Sequence, residues 1–303
     1  MSKRYKLKID DLRDRIAAVL VIVMVLLLGG YMVYDLYFRL PTSSLPPSAD
    51  SGSSIEDNVI AENYNILLLG LDGRAGLNDR SDTLILVSLD QQQKKAQLLS
   101  IPRDTRVKVR GSWDKINAAY AYGGVELSKQ TVADFLEVTI DRYVIINFNG
   151  LIKLVDEIGG IDLNVPVRMY KPLEGIDLQP GKQHLNGAQV LAYSRFRGTS
   201  GGDIDRSQRQ QEVITLLVKK ALQENSIAQI AELAQIARKD IETDLTVREI
   251  VALARLASPV LENGLTTKVF PGKSKWIDEI WYWIPDLGQL DETLLISENT
   301  LSK

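Results

Sequence analysis

The chain has 303 residues, with 36 Lys+Arg, 39 Asp+Glu, one His and no Cys. Without Cys there is no disulfide, thiolate nucleophile, Fe–S cluster or Cys-based zinc site, and a single His excludes a His-rich metal centre. With 45% hydrophobic and 25% charged residues the chain can fill a core, so any chemistry must rest on carboxylates, arginines, lysines, hydroxyls or a hard metal.

The first feature in chain order is Ile16–Tyr34, 19 consecutive positions without a charge. At the helical rise this spans about 28 Å, enough for a bilayer core. Tyr31, Tyr34 and Tyr37 sit at its far end like an interfacial belt. Six basic residues (Lys3, Arg4, Lys6, Lys8, Arg13, Arg15) against three acidic ones precede it and favour a cytoplasmic N-terminus. The run is long for a signal peptide and no A-x-A site follows. The expected layout is a cytoplasmic tail over 1–15, a single transmembrane helix over 16–38, and everything later outside the cytoplasm in a cell membrane.

Residues 39–62 form a spacer, with three Pro and six Ser between Pro41 and Ser54. Setting aside the six basic and four acidic side chains of residues 1–38 leaves −5 on the remainder, a poor match for nucleic acid.

Tyr64–Gly70, Thr83–Leu89 and Ala96–Ile101 read as strands, the last stopped by Pro102. Val125–Val138 has helical spacing, Arg142–Phe148 is strand-like, and Leu151–Ile158 is a short helix closed by Gly159 and Gly160. Ile161–Val167 is a strand; Asn186–Tyr193 is a helix capped by Asn186; Asp205–Gln223 is a long amphipathic helix. Helical periodicity continues through Ile227–Arg238 and Val247–Leu256, while the tail from Trp276 follows no clear pattern. Alternating strands and helices predict an α/β fold with a mixed sheet.

Three constellations carry the chemistry. Asp72 follows one strand and Asp82 precedes the next, so the carboxylates converge if the strands are neighbours. Two carboxylates plus a phosphate ligand suit Mg²⁺; from this segment alone they read as readily as turn and cap residues. Ser100-Ile-Pro-Arg103-Asp104-Thr105 places an arginine at another strand end. The densest is Tyr193-Ser-Arg195-Phe-Arg197 with Gly202-Asp203-Ile-Asp205-Arg206-Ser-Gln-Arg209, where four of the 18 arginines fall within 15 residues. Arg195 and Arg197, two apart, share a side if extended; Arg206 and Arg209 share a helix face near its N-terminus, where anions are favoured. Arginine in place of lysine indicates planar, bidentate phosphate recognition. Together these describe a pyrophosphate-like anion held by arginines and a carboxylate-bound divalent ion, and phosphoryl transfer needs little beyond positioning and charge neutralisation.

The strings NILLLGLDGR…RSDTLILVSLD, LLSIPRDTRV, KINAAYAYGG and LAYSRFR…GDIDRSQRQQ, in that order, resemble the LytR-CpsA-Psr family of bacterial cell-envelope proteins over Tyr64 to Leu222. The resemblance implies a mixed central sheet sandwiched between helices, with a hydrophobic pocket for a polyprenyl chain. It implies a phosphotransferase that moves an anionic glycopolymer from a polyprenyl-pyrophosphate carrier to peptidoglycan with Mg²⁺. It places the metal on Asp72 and Asp82, the catalytic groups at Asp82, Arg103 and Asp203, and the pyrophosphate on Arg103, Arg195, Arg197 and Arg206. Arg80, Arg209 and Gln210 also fall in motif positions. Either Asp82 or Asp203 could serve as base. Two other readings share the site: a polyprenyl-pyrophosphate-glycan hydrolase, and a non-catalytic lipid-binding or regulatory protein.

The expected catalytic domain is 63–225, with 226–303 as a helical and irregular extension. Val125–Val138 and Val213–Leu222 are candidate pocket walls. Where many members read GDFGR, this chain has Gly202-Asp-Ile-Asp205-Arg206, and Asp205 is expected to cap the helix instead. His184, in a turn-rich loop, reads as structural.

Overall fold

The computed structural model describes residues 59–72, 80–224 and 241–295. The apolar run Ile16–Tyr34 and the segment Ile227–Arg238 lie outside them, and among the described residues no helix is long and apolar enough to cross a membrane.

Strands β1 (Asn63–Leu71), β2 (Ser81–Asp90) and β3 (Lys95–Ser100) form an antiparallel meander. Strand β4 (Arg106–Val109) and β5 (Ser112–Lys115) make a small hairpin before helix α1 (Ala118–Leu136), which is broken by non-helical backbone at Gly123 and Gly124. Strand β6 (Arg142–Asn147) returns parallel to β1. Helix α2 (Phe148–Glu157) follows at once; its cap Asn147 accepts a 2.8 Å hydrogen bond from the Gly150 N–H.

Two more hairpin-like pairs involve β7 (Ile161–Val165) with β10 (Gly181–Leu185), and β8 (Met169–Lys171) with β9 (Ile176–Leu178). Helix α3 (Gly187–Arg195) starts in a full capping box between Asn186 and Gln189, so the expected cap is in place. Helix α4 (Asp203–Glu224), strand β11 (Ile241–Thr243), helix α5 (Val247–Asn263), strand β12 (Leu265–Val269), the hairpin β13 (Gly272–Ile277) and β14 (Ile280–Pro285), and the short helix α6 (Leu290–Thr293) follow among the described residues.

The central sheet has the order β11-β6-β1-β2-β3-β12 and is mixed: β6 and β12 pair in parallel with β1 and β3, and the other pairs are antiparallel. This is the expected α/β class. The region after residue 225 departs from the expected helical and irregular extension. It supplies both edge strands of the central sheet, β11 and β12, and a further hairpin.

Strand alternation splits the sheet into two apolar faces. Leu67, Leu69, Leu84, Leu86 and Leu99 face one side and pack with Val132 and Leu136 of α1 and with Phe270. Ile66, Leu68, Ile85, Val87 and Leu98 face the other, toward α2, α4 and α5. Each fully buried leucine contributes roughly 1.5–3 kcal/mol. A buried polar network ties the second layer down: the Tyr64 hydroxyl donates to Glu249 Oε1 at 2.7 Å, and Arg142 Nη2 lies 2.7 Å from the same oxygen.

Candidate functional site

The second face does not close on its helices. Between it and α2, α4 and α5 lies an apolar cavity of about 210 Å³, lined by Ile85, Val87, Ile146, Val213, Ile214, Leu217, Leu253 and Leu256 among others. The expected wall on α4 is therefore present. The expected wall at Val125–Val138 is not: α1 covers the opposite face, because the sheet is apolar on both sides and needs a helical layer on each.

One end of the cavity is polar, where Thr83, Arg195 and Gln210 join the lining. The Arg195 guanidinium sits 4.9 Å from the centre of the Phe148 ring, a cation–π contact that leaves its charge at that end. Directly across the ladder from Thr83 is Gly70, where a Cβ would fall 2.8 Å from the Thr83 Cβ. Just beyond, the register shifts: Gly70 pairs with Thr83 but Leu71 with Ser81. Asp82 is thus the extra residue of a bulge, a device that re-aims a side chain out of the strand alternation.

Asp82 is re-aimed toward Arg103, and the two form an ion pair. Arg103 stands on a loop whose backbone is fixed at every carbonyl. Pro102 O accepts from the Thr105 N–H at 2.9 Å, Arg103 O from the Asn117 N–H at 3.3 Å, Asp104 O from the Trp283 N–H at 2.8 Å, and Thr105 O from the Ile116 N–H at 2.8 Å. Its side-chain neighbour Asp104 binds Lys115 Nζ at 2.8 Å. Burial works against the Arg103 charge, but the fields of Asp82, Asp104 and Asp203 outweigh it and hold its pKa above the ordinary arginine value. Asp203 thereby belongs to the same electrostatic cluster.

Asp203 opens α4 and carries two further arginines: Arg197 Nε lies 3.2 Å and Arg206 Nη1 3.4 Å from its Oδ1. Arg206 is only 5% exposed and its Nε is buried without a hydrogen-bond partner. The helix begins two residues earlier than expected, so Asp205 does not cap it. Asp205 lies in the first turn and its Oδ2 accepts from the Gly201 N–H at 3.1 Å. Gly202 (φ +54°) makes the left-handed entry that places Asp203 and Arg206 together.

Arg195 and Arg197 also differ from expectation. Helix α3 runs through Arg195, and the turn out of it at Phe196 sends the two arginines to different neighbours, the Phe148 ring and Asp203. Arg209 faces inward: it is 5% exposed, its Nε donates to Tyr193 O at 3.2 Å, and its Nη2 donates to Phe196 O. It clamps the backbone on both sides of Arg195, at Tyr193 and Phe196. Gln210 lines the cavity, one turn beyond Arg206 on α4. Arg80 is exposed beside β2, and Asp72 is half-buried just past β1.

The structure therefore gathers Asp82, Arg103, Arg197, Asp203 and Arg206 into one charge cluster, while Thr83, Arg195 and Gln210, close to them in the chain, line the polar end of the cavity. Among the described residues no three His, Asp or Glu side chains form a metal cage. Hard oxygens from two carboxylates near the β1–β2 bulge fit Mg²⁺ only when phosphate oxygens and water supply the remaining ligands, which is how Mg²⁺ is commonly held. His184 is structural, 2.7 Å from both Asp162 Oδ1 and Gly159 O. Sequence reasoning missed Trp283, whose N–H braces the Arg103 loop from 180 positions away, a separation that leaves no local signal.

A mixed sheet between helical layers, with an apolar cavity flanked by a cluster of arginines and aspartates, defines an α/β protein whose site has the chemistry of an amphiphile with an anionic head. The chain belongs to the LytR_cpsA_psr family, which matches residues 45–298 and so extends past the last sequence motif into the edge strands. It is 33% identical over 290 residues to the polyisoprenyl-teichoic acid–peptidoglycan teichoic acid transferase TagV of Bacillus subtilis (strain 168), covering 90% of this chain and 74% of that one. The crystal structure of B. subtilis TagV is similar with a TM-score of 0.68 at 34% identity, over 77% of this chain and 94% of that chain. A structure of TagT bound to LIIa-WTA is similar with a TM-score of 0.65 at 26% identity, over 76% and 88%.

Proposed function

We propose that this protein is a membrane-anchored phosphotransferase that moves an anionic glycopolymer, of the teichoic acid kind named for its relatives, from a polyprenyl-pyrophosphate carrier to peptidoglycan. The observation that carries the reading is the convergence of Arg103, Arg197 and Arg206 on Asp82 and Asp203, whose chain neighbours Thr83, Arg195 and Gln210 line an apolar cavity. The cavity suits the isoprenoid chain and the arginines suit the pyrophosphate. The apolar run Ile16–Tyr34 would hold the domain at the extracytoplasmic face of the cell membrane, where such a carrier resides.

The pyrophosphate would replace carboxylates as the partner of the arginine forks, and Arg195 would guide it in from the rim. A hydroxyl oxygen of a peptidoglycan sugar attacks the phosphorus nearer the glycopolymer. The bond from that phosphorus to the bridging oxygen breaks, polyprenyl phosphate leaves with the electron pair, and a phosphodiester remains. Asp82 or Asp203 takes the hydroxyl proton. Mg²⁺ held by Asp72, Asp82 and the pyrophosphate oxygens would supply further neutralisation of the leaving phosphate. Arg209 acts by fixing the backbone that presents Arg195 and Arg197.

The test is to incubate the full chain in detergent with a polyprenyl-pyrophosphate glycopolymer and peptidoglycan. Polymer joined covalently to peptidoglycan is expected; free polymer alone would indicate a hydrolase. Arg197→Ala should abolish joining with the fold intact. Normal joining by that variant would overturn the assignment, as would normal complementation of a deletion by Asp72→Ala/Asp82→Ala.

A further inference from the structure

One face of the Arg103 loop carries a second surface. The hairpin β4–β5, the hairpin β13–β14 and the start of α1 meet beside it. Trp113 is 55% exposed and Tyr122 48% exposed, and Tyr282 is half-buried nearby. The Arg106 guanidinium lies between two of these rings, 4.3 Å from the centre of Trp113 and 5.7 Å from that of Tyr282, and its Nε is buried with no hydrogen-bond partner. Lys115 Nζ is 5.9 Å from the Tyr282 ring and 2.8 Å from Asp104. Asp114 Oδ2 accepts from the Tyr122 hydroxyl at 2.7 Å.

Large exposed rings in one patch mark a recognition surface, because scattered exposure would not gather them. These rings lie among polar groups able to donate and accept. Such a combination suits a sugar chain: C–H faces of pyranose rings stack on aromatic faces, and hydroxyl, amide and carboxylate groups meet Arg106, Asp114 and Lys115. The patch is also continuous with the site, since Asp104 neighbours Arg103 at 3.8 Å, pairs with Lys115 and accepts from the Trp283 N–H. A lipid surface is the poorer fit. The exposed tip of β13–β14 is Asp278-Glu279, so pressing it into a bilayer would bury two carboxylates.

We infer that Trp113, Tyr122 and Tyr282 form the acceptor subsite, which holds the N-acetylhexosamine glycan strand of peptidoglycan beside Arg103 and aims its hydroxyl at the pyrophosphate. The inference rests on the transferase reading, and it adds where the second substrate lies. The donor enters from the cavity side and the acceptor from the aromatic side, with Arg103 between them.

The test uses the full chain in detergent, titrated with a β-1,4-linked N-acetylglucosamine tetramer and followed by tryptophan fluorescence. Saturable binding is expected. Trp113→Ala and Tyr282→Ala should each weaken it about tenfold, whereas Trp113→Phe and Tyr282→Phe, which keep a ring, should retain it; circular dichroism monitors the fold. In the transfer assay the alanine variants should raise the KM for peptidoglycan and leave that for the lipid-linked donor unchanged. Arg103→Ala should bind the tetramer normally and transfer nothing. Wild-type affinity in both alanine variants, or a rise in donor KM in place of acceptor KM, overturns the subsite. A wild-type protein that joins no polymer but still loses tetramer binding on Trp113→Ala would overturn the transferase reading and leave the glycan surface standing.

Discussion

Asp82 and Arg103 form an ion pair that joins the bulged start of β2 to the loop after β3. The pair orients Arg103 while Asp104 and Asp203 add to the field that keeps it charged. Replacing Arg103 by Ala removes a preorganised cation aimed at the pyrophosphate, and such losses typically lower kcat about a hundredfold or more. Arg103→Lys should recover only part of this, since an ammonium cannot bridge two oxygens in a plane. Single-turnover transfer rates with saturating donor check both variants; a wild-type rate for Arg103→Ala would remove the residue from the mechanism.

Gly70 and Thr83 make a second, purely steric device. A methyl at position 70 would lie 2.8 Å from the Thr83 Cβ and 3.0 Å from its Oγ1, so Gly70→Ala must push Thr83 or the strand aside. A cost of roughly 1–3 kcal/mol is expected, on the scale of overpacked cores. Adding Thr83→Ala should return much of it, giving a strongly non-additive double-mutant cycle by urea unfolding. Additive losses would show that the clash is relieved elsewhere.

The Tyr64–Glu249–Arg142 network gives stability a pH dependence. Burial alone would raise the Glu249 pKa, but hydrogen bonds from Thr246, Tyr64 and Arg142 overcome it and hold the folded value below the ordinary 4.5. A carboxyl with a depressed folded pKa stabilises the fold fully above its unfolded value and loses that contribution as pH falls through the folded one. Glu249→Gln should therefore be less stable than the wild type at pH 7, by about 1–3 kcal/mol for a disrupted buried network. The gap should narrow below about pH 4.5. Urea midpoints of both proteins at pH 7 and pH 3.5 decide it; a gap independent of pH would mean that the loss is one of packing alone.

The sequence carried the inner strands well, because β1, β2, β3 and β6 are apolar runs bounded by turn residues, and their type survives any neighbour. It carried the α3 cap for a local reason, the Asn186–Gln189 spacing. It did not carry the edge strands. β12 reads Leu-Thr-Thr-Lys-Val, with three of its five residues exposed, and becomes a strand only because β3 offers an unpaired parallel edge far away in sequence. The motif arginines were visible as a cluster, but composition cannot show which way each one points. Arg206 meets Asp203, whereas Arg209, three residues on, turns into the protein to hold backbone carbonyls. The helix on the wrong side of the sheet has the same origin: amphipathic spacing shows that α1 buries a face, not which face of a two-sided sheet receives it.

The cavity allows the donor's two ends to be tested apart. Ile214 lies on α4 and lines the cavity, one turn past Gln210 and away from the ion pairs. Ile214→Trp would place an indole in that space without touching Arg103, Asp203 or Arg206. Because the space is apolar and holds about 210 Å³, the added ring should be accommodated with little loss of thermal stability. A donor with a long polyprenyl chain must compete with the indole, so its KM should rise about tenfold or more, equivalent to ~1.4 kcal/mol of lost apolar contact. A donor with a chain of one or two isoprene units, which reaches the arginines without filling the cavity, should be affected far less. The kcat at saturation should stay near wild type for both, since the groups that meet the pyrophosphate are unchanged. Equal effects on long and short donors would show that the chain does not enter between the sheet and α4.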